Sequence, residues 1–166
     1  MKEMLDVYDI NGNKTGEVVE RYHHQIEGNY YLCIHAYIVT SDGKYILQKR
    51  SMEKKYFPGI WDITCGAADA GEDSYTAALR EVKEELGLEL EGYEYRLVGR
   101  NIYFDCLNDV YFFYTDYSVE DCVLDPAEVM EVKSVDATEL LSFINESPFK
   151  STEYFAMIKN ETERVR

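Results

Sequence analysis

Three glutamates, Glu81, Glu84 and Glu85, follow directly on Arg80 in this 166-residue chain. At about 100° per helical residue they fall within an arc of roughly 100°, beside the apolar stripe and off it. Glu81 and Glu85 are like charges at i,i+4, and all three sit in the last turns of a helix, where the dipole favours cations. Each conflict costs up to about 1 kcal/mol. A solvated acidic face with Arg80 pairing Glu84 tolerates that cost, whereas a bound divalent cation removes it. All-oxygen ligands suit a hard ion, Mg²⁺ or alternatively Mn²⁺, which keeps waters and completes its shell with substrate phosphates.

A second group is basic. Lys49, Arg50, Lys54 and Lys55 put four of the 17 positive charges within residues 49–55. They suit gripping a substrate phosphate, with plain surface solubility as the other reading. Acid dominates elsewhere: 32 Asp and Glu give a net charge of −15, which repels nucleic-acid backbones and anionic lipid surfaces. An anionic substrate therefore needs local cations or bound metal.

The four cysteines, Cys33, Cys65, Cys106 and Cys122, form no CxxC pair, so neither a zinc knuckle nor a disulfide framework is expected. The N-terminus carries acids where a signal peptide needs an apolar run, and no stretch approaches the roughly 18 apolar residues of a membrane span. A cytoplasmic protein without membrane attachment is the expectation.

The elements that must position these groups can be read from the pattern. Residues 5–9 and 16–19 flank Asn11-Gly12 as an opening hairpin. Residues 30–39 and 45–47 read as strands joined at Ser41-Asp42-Gly43, and residues 61–65 as a short strand after Pro58-Gly59. The acid-bearing helix has a core stripe of Tyr75, Ala78, Leu79, Val82 and Leu86, with Asp73 or Ser74 to cap its start and Gly87 to end it. Aromatic-rich strands follow near residues 95–104 and 110–117, then a strand over 129–135 and helices near 138–145 and 152–159. The pattern is one α+β domain over residues 1–166.

The spacing around the helix is more specific than its charge. Gly66, Glu72, Arg80, Glu81, Val82, Glu84, Glu85, Gly87 and Leu88 reproduce the Nudix box, here residues 66–88. At residue frequencies of about one in fifteen, seven fixed positions coincide by chance on the order of once in 10⁸ windows. The chain thus resembles a Nudix hydrolase, which implies a loop-helix-loop motif on a mixed-sheet α/β/α sandwich. The resemblance implies Glu81, Glu84 and Glu85 as metal ligands together with Gly66, Arg80 as the residue orienting Glu81, and Glu72 as a brace of the loop. It implies water attacking a diphosphate, with Glu81 as the first choice of general base and Glu128 the second. Arg80, Glu81 and Glu84 are then the catalytic set, and Arg50, Lys54, Lys55 and Trp61 the substrate-binding set.

Beyond the box, residues 5–9, 47–51, 58–62, 128–131 and Pro148-Phe149 together resemble the Nudix branch that includes isopentenyl-diphosphate isomerase. Cys65 stands at that enzyme's catalytic cysteine, Asp109 near its catalytic glutamate and His24 at one metal-binding histidine. Tyr31, Ala67 and Leu107 replace three further ligands. Hydrolysis of a small nucleotide-type or related diphosphate is the expectation, with isomerisation through Cys65, or a non-catalytic ligand sensor, as alternatives. Cys65 also reads as a small buried thiol, His35 as a core or pocket residue, and the 15 tyrosines chiefly as sheet-face residues, though Trp61 or a tyrosine can stack on a base. An N-terminal hairpin extension spans residues 1–28, and its hairpin over residues 5–19 is expected to support a homodimer contact.

Overall fold

A computed structural model describes residues 3–23, 26–147 and 151–165; His24 and the Pro148-Phe149 pair lie outside the described residues. In chain order the strands are β1 (Met4–Tyr8), β2 (Lys14–Glu20), β3 (Tyr30–Val39), β4 (Tyr45–Arg50), β5 (Trp61–Asp62) and β6 (Thr64–Ala67). The helix α1 (Ser74–Leu86) is followed by β7 (Glu94–Tyr103), β8 (Cys106–Tyr114), β9 (Val129–Val135), α2 (Ala137–Glu146) and α3 (Thr152–Arg164).

The spine is β3. On one side β8 runs parallel to it from Tyr31 opposite Cys106 to Val39 opposite Tyr114, and β7 closes that edge as a hairpin partner of β8. On its other side β3 pairs first with β1, at Val7 opposite Tyr31, and then with β6, from Cys33 opposite Ala67 to Ala36 opposite Thr64. A second group, β4 between β5 and β9, joins β3 where Val39 faces Tyr45. Both faces are covered, so the spine is apolar on both. Ile34, Ala36, Ile38, Tyr111 and Phe113 pack toward α1, while Tyr37, Val39, Val110 and Phe112 pack toward α2 and α3. The period-two alternation of strand side chains produces the division.

Residues 61–65 do not make one strand. Trp61 and Asp62 pair with β4, whereas Thr64 onward pairs with β3, so the chain changes partner at Ile63, which is 3% exposed. The step from β5 to β6 brings the two strand groups together beside Gly66. Likewise β8 begins at Cys106 rather than near residue 110, because Phe104 and Asp105 close the hairpin from β7 in a tight turn with Phe104 at φ +51°. Low apolar content near its start hides this strand from a hydropathy reading. The opening hairpin holds as read, with Asp9 Oδ1 accepting from the N–H groups of Asn11 and Asn13 and Gly12 at φ +82°.

Helix α1 is set by local chemistry at both ends. Asp73 accepts from the Thr76 N–H at 2.7 Å, and Gly87 adopts φ +70° while its N–H returns to the Lys83 carbonyl. A Cβ on Gly87 would also stand 2.6 Å from the Val123 carbonyl oxygen, so the position excludes side chains on two counts. Val82 and Leu86 are fully buried under the sheet, each contributing about 1.5–3 kcal/mol by burial. Among the described residues, no helix is long and apolar enough to cross a membrane.

Candidate active site

Arg80 is the hub of the site. Its Nε and Nη2 donate to the two carboxylate oxygens of Glu72, each at 2.9 Å, a two-pronged pairing. Nη2 also donates to the Ala67 carbonyl at 2.9 Å, and Nη1 reaches Glu81 at 2.9 Å and Glu84 at 3.2 Å. One guanidinium thus joins the β6 strand, the loop before α1 and the helix itself. Glu72 additionally accepts from the Asp69 N–H at 2.9 Å, so it braces the loop as expected. Partial burial works against the Glu72 charge, yet the Arg80 and Asp69 hydrogen bonds hold its pKa below the ordinary value.

The three glutamates differ sharply in environment. Glu84 is exposed, whereas Glu81 is mostly buried and Glu85 is only 3% exposed. The expectation that all three lie off the buried face is therefore corrected for Glu85. The helix is buried on a wider arc than its large apolar residues mark, because Ala77 also packs inward and the buried arc extends past Ala78 to Glu85. Gln48 of β4 reaches across and donates through Nε2 to Glu85 at 2.5 Å. Burial raises Glu81 to about 7, and burial followed by repulsion from Glu81 raises Glu85 to about 8.

Gly66 explains how Glu81 comes so close to the strand. A Cβ on Gly66 would lie 2.1 Å from Glu81 Cδ, so the carboxyl occupies space that any other residue would fill. Among the described residues, no three His, Cys, Asp or Glu side chains converge as a ready cage. Glu81 and Glu84 are turned onto Arg80, and Glu85 onto Gln48. The donor set nevertheless fits a hard divalent cation. Two desolvated carboxyls stand one helical turn apart and repel each other, Arg80 pairs only with Glu81 of the two, and the buried Gln48 Oε1 beside them has no hydrogen-bond partner among the described residues.

The basic residues divide. Lys54 is ion-paired with Glu128, and Arg50 Nη2 donates to the Tyr56 carbonyl at 3.4 Å while its buried Nε has no partner among the described residues. The Arg50 charge bears on both Asp62 and Glu85, which places it at the acid cluster. Lys55 stands over the rings of Tyr22 and Tyr56 instead. Trp61 is half-buried between two cations, Lys133 Nζ at 4.9 Å from its ring centre and Lys49 Nζ at 5.9 Å. Gln48 and Lys133 were not singled out by sequence. No local pattern marks them, since each joins the site through a strand pairing or a loop crossing.

Cys65 and Asp109 lie on opposite faces of the sheet. Cys65 is matched with His35 and Asp109 with Ile34, and adjacent residues of β3 point to opposite sides. Asp109 is 5% exposed and held by Arg100 through two hydrogen bonds, at 2.6 and 3.0 Å. Burial holds the Cys65 thiol well above the ordinary pKa, with Asp62 4.0 Å from its sulfur. Tyr31, Ala67 and Leu107 are core residues. His35 donates or accepts through Nδ1 with the Tyr154 hydroxyl at 2.7 Å, and burial lowers its pKa to about 4.

The arrangement of sheet, acid-bearing helix and braced loop is that of a Nudix fold. The crystal structure of DR0079 from Deinococcus radiodurans superposes with a TM-score of 0.73 at 20% identity, covering 98% of this chain and 99% of that one. The chain belongs to the Nudix family, whose NUDIX domain matches residues 31–155. It is 32% identical over 139 residues to an uncharacterised Nudix hydrolase of Listeria monocytogenes, covering 83% of this chain and 82% of that protein. It is also 35% identical over 86 residues to an isopentenyl-diphosphate Delta-isomerase of Streptomyces griseus, covering 51% of this chain and 44% of that enzyme.

Proposed function

We propose that this Nudix enzyme is a Mg²⁺-dependent hydrolase of a diphosphate linkage in a small nucleotide-type substrate. The observation that carries the reading is the pair of desolvated carboxyls, Glu81 and Glu85, one turn apart beside Gly66 and the unpartnered Gln48 oxygen. Glu81, Glu84, Glu85 and the Gly66 carbonyl would hold the ion. When bound, the ion supplies a Lewis acid that lowers the pKa of the attacking water and offsets charge on the phosphate oxygens.

The chain's own residues do the rest. Arg80 fixes the Glu81 carboxyl by a hydrogen bond and anchors itself on Glu72 and the Ala67 carbonyl. Glu81, the first candidate for general base, is mostly buried and fixed by Arg80 at 2.9 Å, which orients its carboxyl at the acid cluster. Glu128, the second candidate for that role, is engaged with Lys54. Arg50 and Lys54 lie on the same side as the acid cluster and supply phosphate contacts. The isomerase alternative lacks support from the geometry, because Cys65 and Asp109 do not share a face.

The test is a Mg²⁺-dependent turnover screen over nucleoside diphosphate derivatives, dinucleotides and isopentenyl diphosphate, on wild type and Glu84→Gln together. Hydrolysis of a diphosphate that falls about 100-fold or more in Glu84→Gln is expected, the scale of losing one transition-state electrostatic contact. Isomerisation of isopentenyl diphosphate without hydrolysis of any diphosphate overturns the reading.

A further inference from the structure

The two buried carboxyls of the acid cluster are held by different chemistry. Glu81 is pinned by a cation, Arg80 Nη1 at 2.9 Å, whereas Glu85 is met by a neutral amide, Gln48 Nε2 at 2.5 Å. Gln48 is 1% exposed and Glu85 3%, so bulk solvent does not compete for their contact. Strand pairing sets the place of the amide. Gln48 stands in the middle strand of its group, opposite Asp62 of β5 and Val132 of β9, so its backbone is fixed from both sides while its side chain reaches α1.

The direction of the amide is fixed as well. Nε2 also lies 3.4 Å from the Ile63 carbonyl oxygen, which can only accept. A reversed amide would set Oε1 against two acceptors, the Ile63 carbonyl and the Glu85 carboxylate, so the N–H end must face Glu85. The other end, Oε1, is buried without a hydrogen-bond partner among the described residues, as is the hydroxyl of Thr64, the residue after Ile63. Thr64 pairs with Ala36 and so lies on the α1 side of the sheet with Gln48. The amide thus orients a carboxyl with one end and offers an acceptor with the other.

The missing charge is the point of the arrangement. A lysine or arginine bonded to Glu85 would orient the carboxyl but would also neutralise it and repel a divalent ion. A neutral donor orients it and leaves its negative charge available. Among the described residues no cation is ion-paired with Glu85, and the Arg50 charge reaches it only through space. We propose that Gln48 is the positioning residue of the cation site, its neutral amide setting the Glu85 carboxyl for a divalent ion without consuming the charge that the ion needs. The inference rests on the reading of Glu85 as a ligand and adds to it a residue from outside the acid-bearing helix and its loops.

Titration of the full chain with Mn²⁺, followed by the free-ion signal in electron paramagnetic resonance, tests this without any substrate. Gln48→Leu is expected to weaken Mn²⁺ binding about 10–100-fold, the usual cost of removing the partner that orients a ligand. In a Glu85→Gln background the same substitution should add about twofold or less, because the group it acts through is already gone. Gln48→Asn keeps the amide but falls one methylene short of Glu85, so it should weaken Mn²⁺ on the same scale, and it carries the comparison if Gln48→Leu does not fold. Wild-type affinity in a folded Gln48 variant, or an equal loss in the wild-type and Glu85→Gln backgrounds, overturns the positioning role. If Mn²⁺ affinity follows Gln48 through Glu85 while no diphosphate is hydrolysed, the hydrolase reading fails and the positioning role stands. If hydrolysis depends on Glu84 while Mn²⁺ binding ignores Gln48, the positioning role alone fails.

Discussion

The Glu81 carboxyl rests against the backbone of Gly66, in the space where a Cβ would lie 2.1 Å from Glu81 Cδ. Strand β6 and helix α1 are therefore matched through the absence of one side chain. Gly66→Ala must move Glu81, and a shift of about 1 Å in a reacting group can cost on the order of 100-fold in rate. The expected outcome is a loss of kcat on that scale with little change in secondary structure by circular dichroism. A Gly66→Ala enzyme with wild-type kcat would show that the close approach is unrelated to activity.

Arg80 is expected to matter for stability as well as rate. Among the described residues it is the cation hydrogen-bonded to both Glu72 and Glu81, each largely out of solvent, whereas its exposed contact with Glu84 adds little. Arg80→Ala should cost about 2 kcal/mol or more and lower Tm by roughly 4–8 °C. Arg80→Lys keeps the charge but lacks the planar fork that serves Glu72 and Ala67, so it should recover only part of the loss. Thermal melts of both variants decide this, and full recovery in Arg80→Lys would count against the fork.

Stability should fall as pH rises when divalent cations are chelated. Burial raises Glu81 to about 7 and Glu85 to about 8 from an ordinary value of 4.5, and burial raises Asp62 to about 6. The folded chain then keeps protons that the unfolded chain releases, so folding carries no penalty below about pH 4.5 and loses stability as pH climbs through 7 and 8. A divalent cation displaces those protons, so the rise in Tm on adding Mg²⁺ should be larger at about pH 8.5 than at about pH 5.5. Glu85→Gln should flatten the dependence. Melts in chelator and in Mg²⁺ across this range measure both, and a Mg²⁺ effect that does not change with pH contradicts the account.

Cys65 should be dispensable for hydrolysis. Its thiol is held neutral by burial and faces away from Asp109. Cys65→Ala is expected to leave diphosphate turnover at the wild-type level, and wild type should alkylate slowly with iodoacetamide at neutral pH, since the thiolate is the reactive form. Rapid alkylation at Cys65 that abolishes turnover would reverse this conclusion.

Much of the framework was legible because it depends on neighbours in sequence. Asp73 and Gly87 bound the helix through hydrogen bonds spanning three and four residues, and β9 occupies residues 129–135, the stretch read as a strand. The break at Ile63 and the early start of β8 were not legible. Both are decisions about which distant strand to pair with, and the residues involved have no local preference strong enough to announce them.

The sequence by itself determined the chemistry on offer: oxygen ligands at helical spacing, an arginine among them, a glycine before them and an overall acidity that demands local cations. Only the tertiary structure decided which carboxylates lose their water. Glu85 is buried because Gln48, 37 residues earlier, crosses to meet it, and desolvation by distant chain is invisible to any local pattern. The same holds for Cys65 and Asp109. Their separation onto two faces follows from strand register, which a one-residue slip would invert and which long-range packing alone sets.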